Sequence, residues 1–177
     1  MLVVFRGLPG TGKTHLARRL ARALPDLLVL SRDSIRVSLI PRPTFSAAEK
    51  SFVDDLVVAM ADFLLGRGRD VVIDGMALSS ASRVEEFARA AGKHGAPLFI
   101  VECACGEATA LERLRSDRGG HPAGDRDESL YFEVKARWEA LARPVLGVNT
   151  DGDTASALAA ILDFVGRAPA RGEGGSP

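Results

Sequence analysis

Short apolar runs alternate with longer amphipathic stretches along the whole chain. Runs of strand length fall at residues 2–5, 27–30, 70–74, 97–103 and 145–148. Between them, a helical period predicts helices over 13–24, 33–39, 46–65, 82–93, 107–117, 128–142 and 154–165. Strands that alternate with helices in this way build a parallel sheet covered by helices on both faces, an α/β fold in three layers. Pro41 and Pro43 separate the second and third helices, and Gly66, Gly68 and Gly95 close others. Ser46 is placed to cap the long third helix, with Phe52, Leu56, Val57, Met60, Phe63 and Leu64 expected on its buried face. Periodicity breaks between 118 and 127, where Gly119, Gly120, Pro122 and Gly124 cluster. Residues 168–177 are too rich in Gly and Pro to pack. The pattern thus gives one domain, 1–166, and a disordered tail, 167–177.

Composition changes this picture little. The 177 residues carry 23 Lys plus Arg against 23 Asp plus Glu, a net charge of zero. That balance disfavours a protein holding a long nucleic acid by its phosphates, although a local basic cleft remains compatible with it. No run of about 18 apolar residues occurs, so no membrane span is expected. The start of the chain lacks a basic segment ahead of its apolar run and reads as a first strand, not a signal peptide. Cys103 and Cys105 form a C-x-C pair without a second pair. They read as packing at a strand end, with free thiols suited to the cytoplasm.

The candidate chemistry begins directly after the first strand. Gly7-Leu8-Pro9-Gly10-Thr11-Gly12-Lys13-Thr14 matches the phosphate-binding pattern G-x-x-x-x-G-K-[ST]. Its glycines let successive N–H groups turn inward around a phosphate, and the helix that follows aims its positive end at the same anion. Lys13 then reaches the β- and γ-phosphates, and the Thr14 hydroxyl ligates Mg²⁺. The ligand expected is MgATP, because the chain lacks the N-K-x-D signature of guanine readers. The strand D-V-V-I-D ends in Asp74, a carboxylate at the sheet edge beside the metal or the acceptor.

A phosphoryl transferase also needs an acceptor group, cationic charge on the transferring phosphoryl and a cover against water. Asp33, just past the second strand, is placed to orient an acceptor hydroxyl and take its proton. Arg36, three residues on, shares its helical face and can grip the acceptor. The other reading of the pair is a helix cap and a solvated charge. Arg113, Arg115, Arg118 and Arg126 flank the glycine-rich break and read as a lid over the phosphates, about 113–128, with Arg118 in contact with the nucleotide and Arg126 assigned to the substrate.

The four segments G-L-P-G-T-G-K-T, S-R-D-S-I-R, V-V-I-D-G and L-R-S-D-R-G together resemble the polynucleotide-kinase-like P-loop kinases over residues 1–165. The resemblance implies a sheet order 2-3-1-4-5, a general base at Asp33, a substrate-binding arginine at Arg36, and Arg118 acting on the triphosphate. It also implies that adenine lies near 149–152, including Asp151, and against Arg113 or Arg115. Ser34 stands where the motif often has a second Asp, Gly75 where relatives often have Ala or Thr, and the lid is one residue longer between Arg113 and Arg118. The function expected is transfer of the γ-phosphate to a hydroxyl of a small molecule or a nucleic-acid 5′-end. The alternatives are a nucleoside-monophosphate-type kinase, faintly echoed by Arg126-Asp127-Glu128, and an ATP-binding switch.

Overall fold

The computed structural model describes residues 1–116 and 127–167. The expected tail lies outside them except for Arg167, as does most of the glycine-rich break. Five strands form one parallel sheet: β1 (Leu2–Arg6), β2 (Leu27–Ser31), β3 (Asp70–Asp74), β4 (Leu98–Ala104) and β5 (Leu146–Asn149). Their order is β2-β3-β1-β4-β5. All five residues of β1 are buried, as a central strand covered on both faces requires.

Alternate residues of the central strands feed two separate cores. Leu2, Val4, Val71, Ile73 and Ile100 face α3 (Ala47–Gly66) and α4 (Ala81–Lys93). Val3, Phe5, Val72, Phe99, Val101 and Cys103 face α1 (Lys13–Ala23) and α7 (Thr154–Gly166). The remaining helices are α2 (Arg32–Leu39), α5 (Glu107–Ser116) and α6 (Glu128–Ala136). Among the described residues, no helix is long and apolar enough to cross a membrane.

Two expectations are corrected. The buried line of α3 is Val53, Val57, Ala61 and Leu65, while Phe52 and Phe63 are more than half exposed. The helix is apolar around much of its circumference, so periodicity alone left its orientation open. The compact side chains at i, i+4 spacing let it approach the sheet, and the bulky rings turn outward. The helix expected over 128–142 stops at Ala136, because tertiary bonds take over the backbone beyond it. Glu139 donates its N–H to the Ser79 carbonyl at 2.9 Å and accepts at its own carbonyl from Arg6 at 2.8 Å. The Arg6 guanidinium lies 4.1 Å from the centre of the Trp138 ring, and it faces Glu102 at 3.3 Å. Burial lowers the pKa of Arg6, against the pull of Glu102 and Glu139.

The α3 assignment has a direct test in urea unfolding. Val57→Ala should cost about 2 kcal/mol through lost burial and a residual cavity. Phe52→Ala should stay within about 0.5 kcal/mol of the parent, as expected of an exposed site.

Candidate active site

The phosphate-binding loop joins β1 to α1 at the carboxyl edge of the sheet. The helix starts after Gly12 with no side chain capping it, which leaves its first N–H groups directed to the loop's concavity. The loop backbone is pressed hard against its neighbours. A methyl on Gly7 would come 2.4 Å from the Cys103 carbonyl oxygen. One on Gly10, whose φ is +80°, would come 2.4 Å from that of Ala110.

Lys13 is buried, and its ammonium donates to the carbonyls of Gly7 and Leu8 at 2.7 and 2.8 Å. Those bonds hold it across the loop it serves. The Thr14 hydroxyl donates to Asp74 Oδ1 at 2.8 Å, and Asp74 is 2% exposed. The structure therefore brings together the two residues assigned to the metal. Hard oxygen donors of this kind suit Mg²⁺, which takes one or two protein oxygens and completes its shell with phosphate and water. Among the described residues no group of three or more His, Cys, Asp or Glu side chains is placed to hold a metal ion. Pro9 lines the cleft beside Lys13 and Thr14, and the Thr11 hydroxyl closes the loop onto the Leu8 carbonyl at 2.7 Å.

Asp33 lies in the first turn of α2, but Ser31 is the residue that caps this helix, accepting from the Ser34 N–H at 3.4 Å. The capping alternative for Asp33 is thereby removed. Its carboxylate is flanked by the guanidinia of Arg32 and Arg36, each 3.9 Å away. Gly75 supplies the space next to it: at φ +81°, a Cβ there would sit 3.2 Å from Asp33 Oδ2. The glycine that departs from the related pattern thus lets the end of β3 run against the carboxylate.

Arg36 is 1% exposed and is absent from the lining of the cleft. It packs on the Phe45 ring at 5.1 Å and faces Glu49 at 3.4 Å. From there it steadies Asp33 from behind. Burial pushes the Glu49 pKa up, but hydrogen bonds from Thr44 and Phe45, with the charge of Arg36, bring it below the usual value.

Lys13, Thr14 and Asp33 line one cleft of about 610 Å³. Its walls come from segments that no motif marked: Phe45, Asp54 on α3, Leu78, Arg83 on α4, and Glu133 on α6. Phe45 and Leu78 both hold left-handed backbone, at φ 55° and 50°, and such strain concentrates at functional sites. No sequence signal identified these residues, because each is an ordinary member of its own helix or loop.

The expected adenine side is built from the loops after β4 and β5. Asp151 accepts from the Gly106 N–H at 2.8 Å, and its pKa is held down by hydrogen bonds from Thr109 and then from Gly106. Arg113 donates to the Thr150 carbonyl at 2.7 Å and the Thr150 hydroxyl at 3.1 Å, and leans on the Gly10 carbonyl at 3.4 Å. It ties the phosphate loop to the loop after β5. Thr150, inside the 149–152 loop that the resemblance sets near adenine, is 2% exposed and donates to the Thr11 carbonyl at 3.1 Å.

Arg115 pairs with Glu128 and so joins the two helices that flank residues 117–126. Arg118 and Arg126 lie outside the described residues. Asp127, part of the monophosphate-kinase echo, caps α6 by accepting from the Leu130 N–H at 3.0 Å. Both cysteines are free. Burial pushes the Cys103 thiol up to about 12, so it stays protonated and serves as core filling.

A parallel sheet ordered 2-3-1-4-5, with this loop after its central strand, defines a P-loop nucleotide-binding protein of kinase-like architecture. Residues 2–143 match the family model AAA_33, described as an AAA domain, and the chain belongs to that family. Among curated proteins none matches the sequence. Similar solved structures include Chaetomium thermophilum Kti12 in complex with ADP-AlF3, at 21% identity, 93% and 97% coverage of the two chains and a TM-score of 0.72. Mycobacterium tuberculosis APS kinase CysC, in complex with AMPPNP and APS, shows 21% identity, 93% and 96% coverage and a TM-score of 0.69. A gluconokinase from Sinorhizobium meliloti shows 18% identity, 92% and 94% coverage and a TM-score of 0.62. At these identities the likeness is one of fold.

Gly10→Ala should weaken nucleotide binding at least about tenfold, because the added methyl forces the loop off the Ala110 carbonyl and out of its N–H cradle. Titration with a fluorescent ATP analogue measures the change, and unaltered affinity would contradict the loop geometry.

Proposed function

We propose that this protein is an ATP-dependent kinase that transfers the γ-phosphoryl group of MgATP to a hydroxyl group. The observation that carries the reading is Asp33. It is a carboxylate released from helix capping by Ser31 and lodged in the same cleft as Lys13 and Thr14.

In the reaction the acceptor oxygen forms a bond to the γ-phosphorus. The bond from that phosphorus to the oxygen bridging it to the β-phosphate breaks, and ADP leaves. Asp33 orients the acceptor hydroxyl and takes its proton. Arg32 and Arg36, at 3.9 Å each, keep the carboxylate turned to the cleft. Lys13 carries its charge to the β- and γ-phosphates. Thr14 and Asp74 would hold Mg²⁺, which when bound neutralises charge on the phosphate oxygens. The backbone N–H groups of the loop bind the phosphates and fix the line of transfer. Arg118 is assigned to the triphosphate by the family resemblance alone, and Arg126 to the acceptor by its place beside the glycine-rich break.

Kinases among the similar folds, the APS kinase and the gluconokinase, support the reaction class, while their acceptors are their own. The monophosphate-kinase alternative loses support, since Asp127 is used as a cap. A nucleotide-dependent switch would not require a carboxylate at position 33.

Wild type and Asp33→Asn should be incubated with γ-labelled MgATP and two acceptor pools. One holds 5′-OH oligonucleotides, and the other holds nucleosides, sugars and amino alcohols. Transfer should fall by roughly 10²- to 10⁴-fold in the variant with ATP affinity retained. Equal turnover of the two proteins would return Asp33 to a structural role and favour the switch.

A further inference from the structure

The wall of the proposed acceptor site is rich in arginine, yet each guanidinium that lines it among the described residues already meets a carboxylate. Arg32, the first residue of α2, pairs with Asp54 of α3. Arg83 of α4 donates to Asp55 of α3 at 2.7 Å and also pairs with Glu86. Arg137, just past α6, faces Glu133 at 3.2 Å. The neighbouring residues Asp54 and Asp55 therefore engage one guanidinium from α2 and another from α4. Lys13 is committed to the phosphate end of the same cleft.

These pairs differ in weight. The side chains of Arg137 and Glu133 are 56% and 60% exposed, where solvent screening leaves an ion pair weak. Those of Arg32 and Asp54 are 14% and 21% exposed, and Arg32 stands 3.9 Å from Asp33. Arg32 is thus the guanidinium best placed to bind an anionic group on an acceptor whose hydroxyl lies on Asp33, while Lys50 of α3 also lines the cleft. Asp54 already occupies it. An anionic acceptor would have to displace Asp54 and then lie beside two carboxylates. A neutral polyol needs only hydrogen bonds, which the remaining lone pairs and N–H groups of the ion pairs can supply. Phe45, Met76, Leu78 and Val134 give the same cleft an apolar side for the carbon skeleton.

We infer that Asp54 is a specificity-determining residue: by occupying Arg32 it denies an anion the guanidinium beside Asp33 and favours a small uncharged polyhydroxyl acceptor of sugar or polyol type. The inference rests on the kinase reading above, and it excludes a nucleic-acid strand with its phosphates.

The matched probes are sorbitol and gluconate, which share a six-carbon chain and differ by a terminal carboxylate. Protein saturated with MgAMPPNP is titrated with gluconate by calorimetry. Asp54→Asn should bind it at least about tenfold more tightly than wild type, and Arg32→Gln added to that variant should abolish the gain. Asp54→Ser replaces the asparagine variant if circular dichroism shows that variant unfolded. Equal affinity in wild type and the Asp54 variant overturns the inference. So does a gain that survives the loss of Arg32. In parallel, wild type is offered γ-labelled MgATP with neutral sugars and polyols, and separately with the corresponding aldonates. Label in the neutral pool alone supports the inference, whereas a preference for aldonates overturns it and leaves the kinase reading standing. If no hydroxyl compound is labelled while the titrations behave as expected, the kinase reading falls and the masking of Arg32 by Asp54 stands.

Discussion

The site depends on how closely the phosphate-binding loop lies against the ends of β4 and α5. At Gly7 and Gly10 the backbone leaves no room for a methyl group against the Cys103 and Ala110 carbonyls. That contact fixes the loop's path, and the path fixes where α1 begins. The start of α1 in turn sets Lys13 over the loop carbonyls and Thr14 against Asp74. Arg113 and Thr150 then bind the loop to the turn after β5. A local steric constraint thus becomes a rigid phosphate cradle held by three strands.

The half of the cleft away from the phosphate-binding loop is organised by different means. Its walls come from α2, α3, α4 and α6, and side-chain charge pairs link α2 and α4 to α3 across the cleft. Asp54 and Asp55 gather Arg32 and Arg83, while Arg143, beyond α6, pairs with Glu85 on α4. One end of the cavity is built for phosphate, and at the other each lining guanidinium among the described residues meets a carboxylate.

The parallel sheet, the helical layers and the phosphate loop were legible in the sequence because each rests on local rules: strand-length apolar runs, helical period and glycine spacing. Sheet order came only through family resemblance, since periodicity does not rank strands. The orientation of α3 was not legible, because Phe52 and Phe63 match a buried pattern as well as Val53 and Ala61 do. The end of α6 was hidden for another reason: Arg6 and Ser79 capture the Glu139 backbone from more than fifty residues away. At Asp33 the sequence offered a base or a cap with equal ease. Ser31, two residues earlier, takes the cap through a bond that only the folded turn displays.

Arg6, the residue just before the phosphate loop, lies with its guanidinium 4.1 Å from the centre of the Trp138 ring. Trp138 is the only tryptophan in the chain. Indole emission responds to a neighbouring cation, so the molecule carries a single built-in optical gauge. It spans the start of the phosphate cradle and the return of the chain from α6, the two parts whose separation changes if the halves of the cleft move apart.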